Sequence, residues 1–118
     1  MAQQRKNKDF NPYNCPVTHC MNKIGGSWKI LIIYAISKNC NRFSRLQKAI
    51  PMVSKQMLVN QLRELESDGL IHREIFAEMP PRVEYTLTTQ GHSLMPVIAV
   101  MQNWGKADMQ ADATIKEI

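Results

Sequence analysis

Apolar and polar positions along this chain follow two different periods, and the change falls at residue 69. Upstream of it the spacing is helical. Val17, Cys20, Met21 and Ile24 form one stripe that opens at Cys15-Pro16 and ends at Gly25-Gly26. Proline suits the first helical position, which leaves Cys15 as the N-cap. Ser27 predicts a cap for a second helix, from Trp28 to about Ser37, whose run WKILIIYAIS is apolar nearly all round and marks the central buried helix. After a polar loop containing Cys40, the residues Phe43, Leu46 and Ile50 mark a short third helix stopped by Pro51. A short turn over Pro51 to Val53 leads into SKQMLVNQLRELESDG, residues 54–69. Here Ser54 is a good N-cap, Gly69 suits the left-handed residue past a helix end, and Leu58, Leu62 and Leu65 recur at i, i+4, i+7.

Downstream the period is two. The stretch from Leu70 to Ala77, with its β-branched and aromatic residues, predicts one strand, and Val83 to Leu87 predicts a second, Val83, Tyr85 and Leu87 alternating with Glu84 and Thr86. Glu78-Met79-Pro80-Pro81-Arg82 forms a stiff tip that cannot continue a ladder. Thr88 or Thr89 caps a last helix bearing Leu94, Val97, Ile98, Met101 and Trp104, with Pro96 inside it predicting a bend or a break. A short helix, a tight turn, a longer helix and a hairpin give the fold class: mainly α with a small β-hairpin, a winged helix-turn-helix.

Length and composition fit that outline. The chain has 118 residues, 44% of them hydrophobic, enough for one domain with a real core. The expected organisation is a basic arm over residues 1–14 carrying Arg5, Lys6 and Lys8, a winged-helix domain with its dimerisation helices over residues 15–106, and a tail or helix end over residues 107–118. The net charge of +5 leans towards a polyanionic partner. The helix over residues 54–69 sharpens this. Its polar face carries Gln56, Asn60, Arg63 and Ser67, Lys55 lies in the first turn, and Glu64, Glu66 and Asp68 crowd the last two. Phosphate would be drawn to the first half and repelled by the second, as expected of a helix whose N-terminal end enters a DNA groove. Three cysteines, none in a CxxC pair, exclude a disulfide framework or a cysteine-rich zinc site. No Gly-rich phosphate loop, HExxH or placed Ser/His/Asp set supports an enzyme, and no cofactor is expected. The absence of a long apolar run or signal core predicts a cytoplasmic protein without a membrane partner.

The ordered pieces Cys15-Pro16-Val17, Ile24-Gly25-Gly26-Ser27-Trp28-Lys29, Arg42-Phe43-Ser44-Arg45-Leu46, Ile50-Pro51, Met57-Leu58, Leu62 to Leu70, Pro80-Pro81-Arg82-Val83-Glu84-Tyr85 and Leu87-Thr88-x-x-Gly91 resemble the HxlR-type winged-helix transcription regulators, relatives of the MarR group. The resemblance spans Cys15 to Gly105. It implies a homodimeric bacterial regulator that binds double-stranded DNA, at an inverted-repeat operator, through a recognition helix and a wing. A winged-helix protein-interaction module without DNA binding is the alternative; the basic arm and the polar face of residues 54–67 argue against it.

Transferred by position, the resemblance turns Ser54, Lys55, Gln56, Asn60 and Arg63 towards the major groove, where Gln and Asn pair with adenine and Arg with guanine. Arg82, at the wing, either meets DNA or pairs with Glu84 or another nearby acid. Arg42 and Arg45, opening the third helix, either contact backbone phosphates or are solvated. The first and last helices, through Val17, Met21, Leu94, Ile98, Met101 and Trp104, are expected at the dimer interface. Cys15 is the candidate redox sensor: a thiol at a helix N-terminus is pushed towards thiolate, and some members of the resembling family sense oxidants or electrophiles at this position. The alternative is a thiol that only caps and packs. Cys15 with His19 and Cys20 makes a poor metal site, with no fourth ligand. The effector, whether an oxidant or a small molecule, is not written in the sequence.

Overall fold

The computed structural model describes residues 11–117, with side chains as far as Ala113. Arg5, Lys6 and Lys8 of the expected basic arm lie outside the described residues. The arm's last residues, Pro12–Asn14, form a single 3-10 turn capped by Asn11, whose Oδ1 accepts the Tyr13 amide at 3.0 Å. The elements that follow are α1 (Pro16–Ile24), α2 (Lys29–Ser37), α3 (Phe43–Ala49), α4 (Lys55–Ser67), β1 (Ile71–Phe76), β2 (Arg82–Leu87), α5 (Thr89–His92) and α6 (Met95–Glu117). Helix α2 is the centre. Its Ile32 and Ile33 are fully buried, and around them pack Leu46, Ile50, Val53, Leu58, Leu62, Leu65, Leu70, Tyr85 and Ile98. The helix-turn-helix and the hairpin therefore share one core, which fixes the wing relative to the recognition helix.

The ends of α4 are set locally. Ser54 Oγ accepts the Met57 amide at 3.1 Å, as expected of an N-cap. At the other end Gly69 has φ +74°. The Leu70 amide reaches the Leu65 carbonyl and the Gly69 amide the Glu66 carbonyl, each at 3.0 Å. This is a Schellman closure, completed by contact-ready apolar residues at Leu65 and Leu70. The chain then enters an antiparallel hairpin in which Ile71 faces Leu87, Arg73 faces Tyr85 and Phe76 faces Arg82. The Tyr85 amide donates to the Asn41 carbonyl at 2.8 Å, tying β2 to the loop before α3.

Three sequence expectations are displaced. Trp28, not Ser27, is the N-cap residue of α2, and no side chain closes that cap. Arg82 begins β2 rather than ending the tip. The last helix is two helices: Thr88 caps α5 by accepting the Gly91 amide at 3.0 Å, and α6 starts at Met95. Pro96 thus sits in the first turn of α6, where its missing N–H costs nothing, and the break lies before it. Helix α6 also runs through residues 107–117, so that stretch is helix end rather than tail.

Candidate nucleic-acid interface

The α3–turn–α4 unit builds the candidate surface. Leu58, Leu62 and Leu65 are buried, so the helical period turns Ser54, Lys55, Gln56, Asn60 and Arg63 outward, and all five are exposed. Gln56 Nε2 donates to Asn60 Oδ1 at 3.1 Å, joining the two amides one turn apart into a single hydrogen-bonding unit. The first turn carries no acid. At the far end, Glu64 does not simply add to a repulsive cluster: its Oε2 lies 3.1 Å from Nζ of Lys29, a lysine buried at the start of α2. Buried charge requires a partner. The lysine in the otherwise apolar α2 run was the signal in the sequence for this pair, and the sequence reading missed it. Glu66 and Asp68 are left to supply the negative end.

The arginines divide into tied and free. Glu84 Oε1 receives two of them, Nη2 of Arg42 at 3.9 Å and Nη1 of Arg82 at 3.8 Å. Arg82 also pairs with Glu78 at 3.2 Å and lays its guanidinium 4.1 Å from the centre of the Phe76 ring. The Nε atoms of both arginines are buried without a hydrogen-bond partner. Arg82 therefore holds the wing to itself, and Arg42 holds the wing to α3. Arg45 is exposed and donates to Asn41 Oδ1 at 3.0 Å. Among the described residues Arg63 has neither an ion-pair nor a hydrogen-bond partner for its side chain, nor does Arg73 on β1, a residue the sequence reading passed over.

The stripe expected at a dimer interface splits in two. Val17 and Met21 on α1, and Met101 and Trp104 on α6, are exposed, with Val100 and Met109 beside them. Ile98 is only 5% exposed and belongs to the core, and Leu94 packs against that core. The reason is the crossing of α6 over α2, where Gln102 Nε2 also meets the Tyr34 hydroxyl at 3.4 Å. Cys15 caps α1 without a side-chain hydrogen bond. Its thiol is nevertheless lowered from its ordinary value, first by the Thr18 amide and then by the Val17 amide, against a smaller opposing effect of burial. A neutral thiol is a poor acceptor and a thiolate a good one, so the amides favour the anion without closing a cap on the neutral form. Cys20 and Cys40 pack against the core. Among the described residues no cluster of three or more His, Cys, Asp or Glu is placed to hold a metal.

A helix-turn-helix sharing its core with a hairpin, with an exposed amide-and-cation face on the second helix, defines a winged-helix DNA-binding protein. Residues 23–113 match the HxlR-like helix-turn-helix family, and the chain belongs to it. It is 39% identical over 105 residues to the uncharacterized HTH-type transcriptional regulator YybR of Bacillus subtilis (strain 168), covering 89% of this chain and 84% of that one. It is 46% identical over 94 residues to an uncharacterized HTH-type transcriptional regulator of Methanothermobacter thermautotrophicus, covering 80% and 72%. Among solved structures, the redox regulator HypR in its oxidized form superposes with a TM-score of 0.71 at 42% identity, covering 79% of this chain and 96% of that chain. The protein is a DNA-binding transcription regulator and not an enzyme. Among the described residues no helix is long and apolar enough to cross a membrane.

Proposed function

We propose that the protein works in the cytoplasm as a homodimer that grips an inverted-repeat operator, α4 of each protomer entering a major groove and the hairpin lying beside it. The observation that carries this reading is the exposed row Ser54, Lys55, Gln56, Asn60 and Arg63, backed by the buried Leu58, Leu62 and Leu65. The amides at this spacing match the donor and acceptor pattern of base edges, and Lys55 and Arg63 add the positive charge that draws the phosphate backbone. Dimerisation is supported by the exposed apolar residues of α1 and α6, a combination that a lone protomer leaves in water. The radius of gyration, 18.3 Å, points the same way. A compact single domain of this length has about 13–14 Å. Pairing α6 against a second copy would give the long helix a packing surface.

The test is to sequence genomic fragments retained by the purified protein and to follow their binding against salt. The expected result is a shared inverted repeat, with half-sites about one helical turn or a multiple apart, and an affinity that falls steeply with salt. Retained fragments without a common repeat, or binding indifferent to salt, would remove the reading. A thiol-responsive form of this regulator rests on Cys15, whose anion is favoured by the Thr18 and Val17 amides, and on the likeness to a protein described as a redox regulator.

A further inference from the structure

We infer that Arg63 and Arg73 together hold one backbone phosphate of the bound duplex, which makes Arg73 a DNA contact of the wing strand. This rests on the DNA-binding reading and deepens it. A cleft of about 330 Å³ opens between α4 and β1, lined by Phe43, Val59, Arg63, Glu66, Arg73 and Tyr85, with Leu62 at its base. Arg63 comes from the third turn of α4. Arg73 is directly opposite Tyr85 in the hairpin. Cross-strand partners share a face of the sheet, so Arg73 projects to the side on which Tyr85 is buried, the side that meets α4. Both arginines are exposed. Among the described residues neither has an ion-pair or hydrogen-bond partner, although Glu66 lines the same cleft. In contrast, Arg42 and Arg82 share Glu84.

The position of the cleft gives the free pair its ligand. A major groove and its neighbouring minor groove are separated by a single phosphodiester strand. With α4 in the major groove and the wing beside it at the minor groove, that strand has to cross the space between α4 and β1. Two guanidinium groups facing that space present planar, bidentate donors to a phosphate. The rings of Phe43 and Tyr85 line the cleft on the protein side. Glu66, exposed and lining the same cleft, opposes an anion there, so a phosphate needs both guanidinium groups to outweigh it.

The test measures binding to a random-sequence duplex, and to a fragment retained from the genome, as a function of salt. The proteins are the wild type, Arg73→Ala, Arg73→Lys, Arg63→Ala and the double variant Arg63→Ala/Arg73→Ala, each first shown folded by its thermal unfolding transition. Arg73→Ala is expected to lose affinity by the same factor on both duplexes, because a phosphate carries no sequence, and Arg73→Lys to recover most of the loss. The double variant is expected to have a salt dependence shallower by about 1.8 in log K against log salt, the worth of one phosphate from each protomer of the dimer. A double variant shallower by about 3.6 would assign the arginines to two separate phosphates per protomer and overturn the shared site. Arg73→Ala with unchanged affinity on both duplexes would overturn the assignment of Arg73. If the wild type itself bound neither duplex, the DNA-binding reading beneath the proposal would fail instead.

Discussion

At the scale of single residues, chemistry is set by what each side chain is already bonded to. Gln56 and Asn60 hold one another at 3.1 Å. To read an adenine either must release the other or the two must act as one unit. Gln56→Ala and Asn60→Ala are each expected to cost about 1–3 kcal/mol on the operator and much less on random duplex. The double variant should fall short of their sum, because removing one amide already disables its partner. Titration of the two duplexes by fluorescence anisotropy checks this, and strict additivity would show that the pair is not a unit. Cys15 is expected to alkylate faster than a free thiol at neutral pH, in a Cys20→Ser, Cys40→Ser background. Its folded-state value is depressed, so the thiolate persists to lower pH than in the unfolded chain. By the same sign, the stability this group contributes is present above the unfolded value and is lost as pH falls through the folded one. An alkylation midpoint at or above that of the unfolded chain would refute the depressed thiol.

At the scale of elements, close backbone approach and buried packing decide how the hairpin and helices join. A Cβ on Gly91 would lie 2.1 Å from the Leu70 carbonyl oxygen, backbone that cannot swing away. The same junction carries the Thr88 hydroxyl donating to the Gly69 carbonyl at 2.6 Å and the Thr88 amide donating to the Leu70 carbonyl at 3.1 Å. Gly91→Ala is therefore expected to destabilise the fold by about 1–3 kcal/mol, read from urea unfolding. A change within error would show that α5 can shift without cost. The helices as far as the hairpin, the caps at Ser54, Gly69 and Thr88, and the hairpin itself were legible in the sequence because each depends on neighbours a few residues away; the cap expected at Ser27 falls instead on Trp28. The Lys29–Glu64 pair was not, since it joins residues 35 positions apart that meet only once α2 and α4 pack. The division of α5 from α6 was half legible, Pro96 signalling a break without saying on which side of it the chain would turn.

At the scale of the whole molecule, α6 separates two roles along one helix. Ile98 is core, while Met101 and Trp104 stand in solvent. Met101→Glu or Trp104→Glu is expected to give a folded monomer by sedimentation and circular dichroism, with operator binding weakened. Ile98→Glu places a charge in the protomer's own core and is expected to abolish the cooperative unfolding transition itself. A dimeric Trp104→Glu protein would move the interface elsewhere.

By itself the sequence determined the element order as far as the hairpin, the winged-helix class, the family and the polar face of α4. All of these are carried by periodicity, caps and short motifs, which act over one or two turns of chain. Only the tertiary structure decided which charges are free. Glu84 collects Arg42 and Arg82, Lys29 takes Glu64, and among the described residues Arg63 and Arg73 are left without a partner, lining one cleft. The same holds for Ile98, whose spacing is identical whether it faces a partner or the core. The physical reason is that an ion pair or a buried face depends on distances of a few ångströms between segments far apart in the chain, and those distances exist only after the core around α2 has closed.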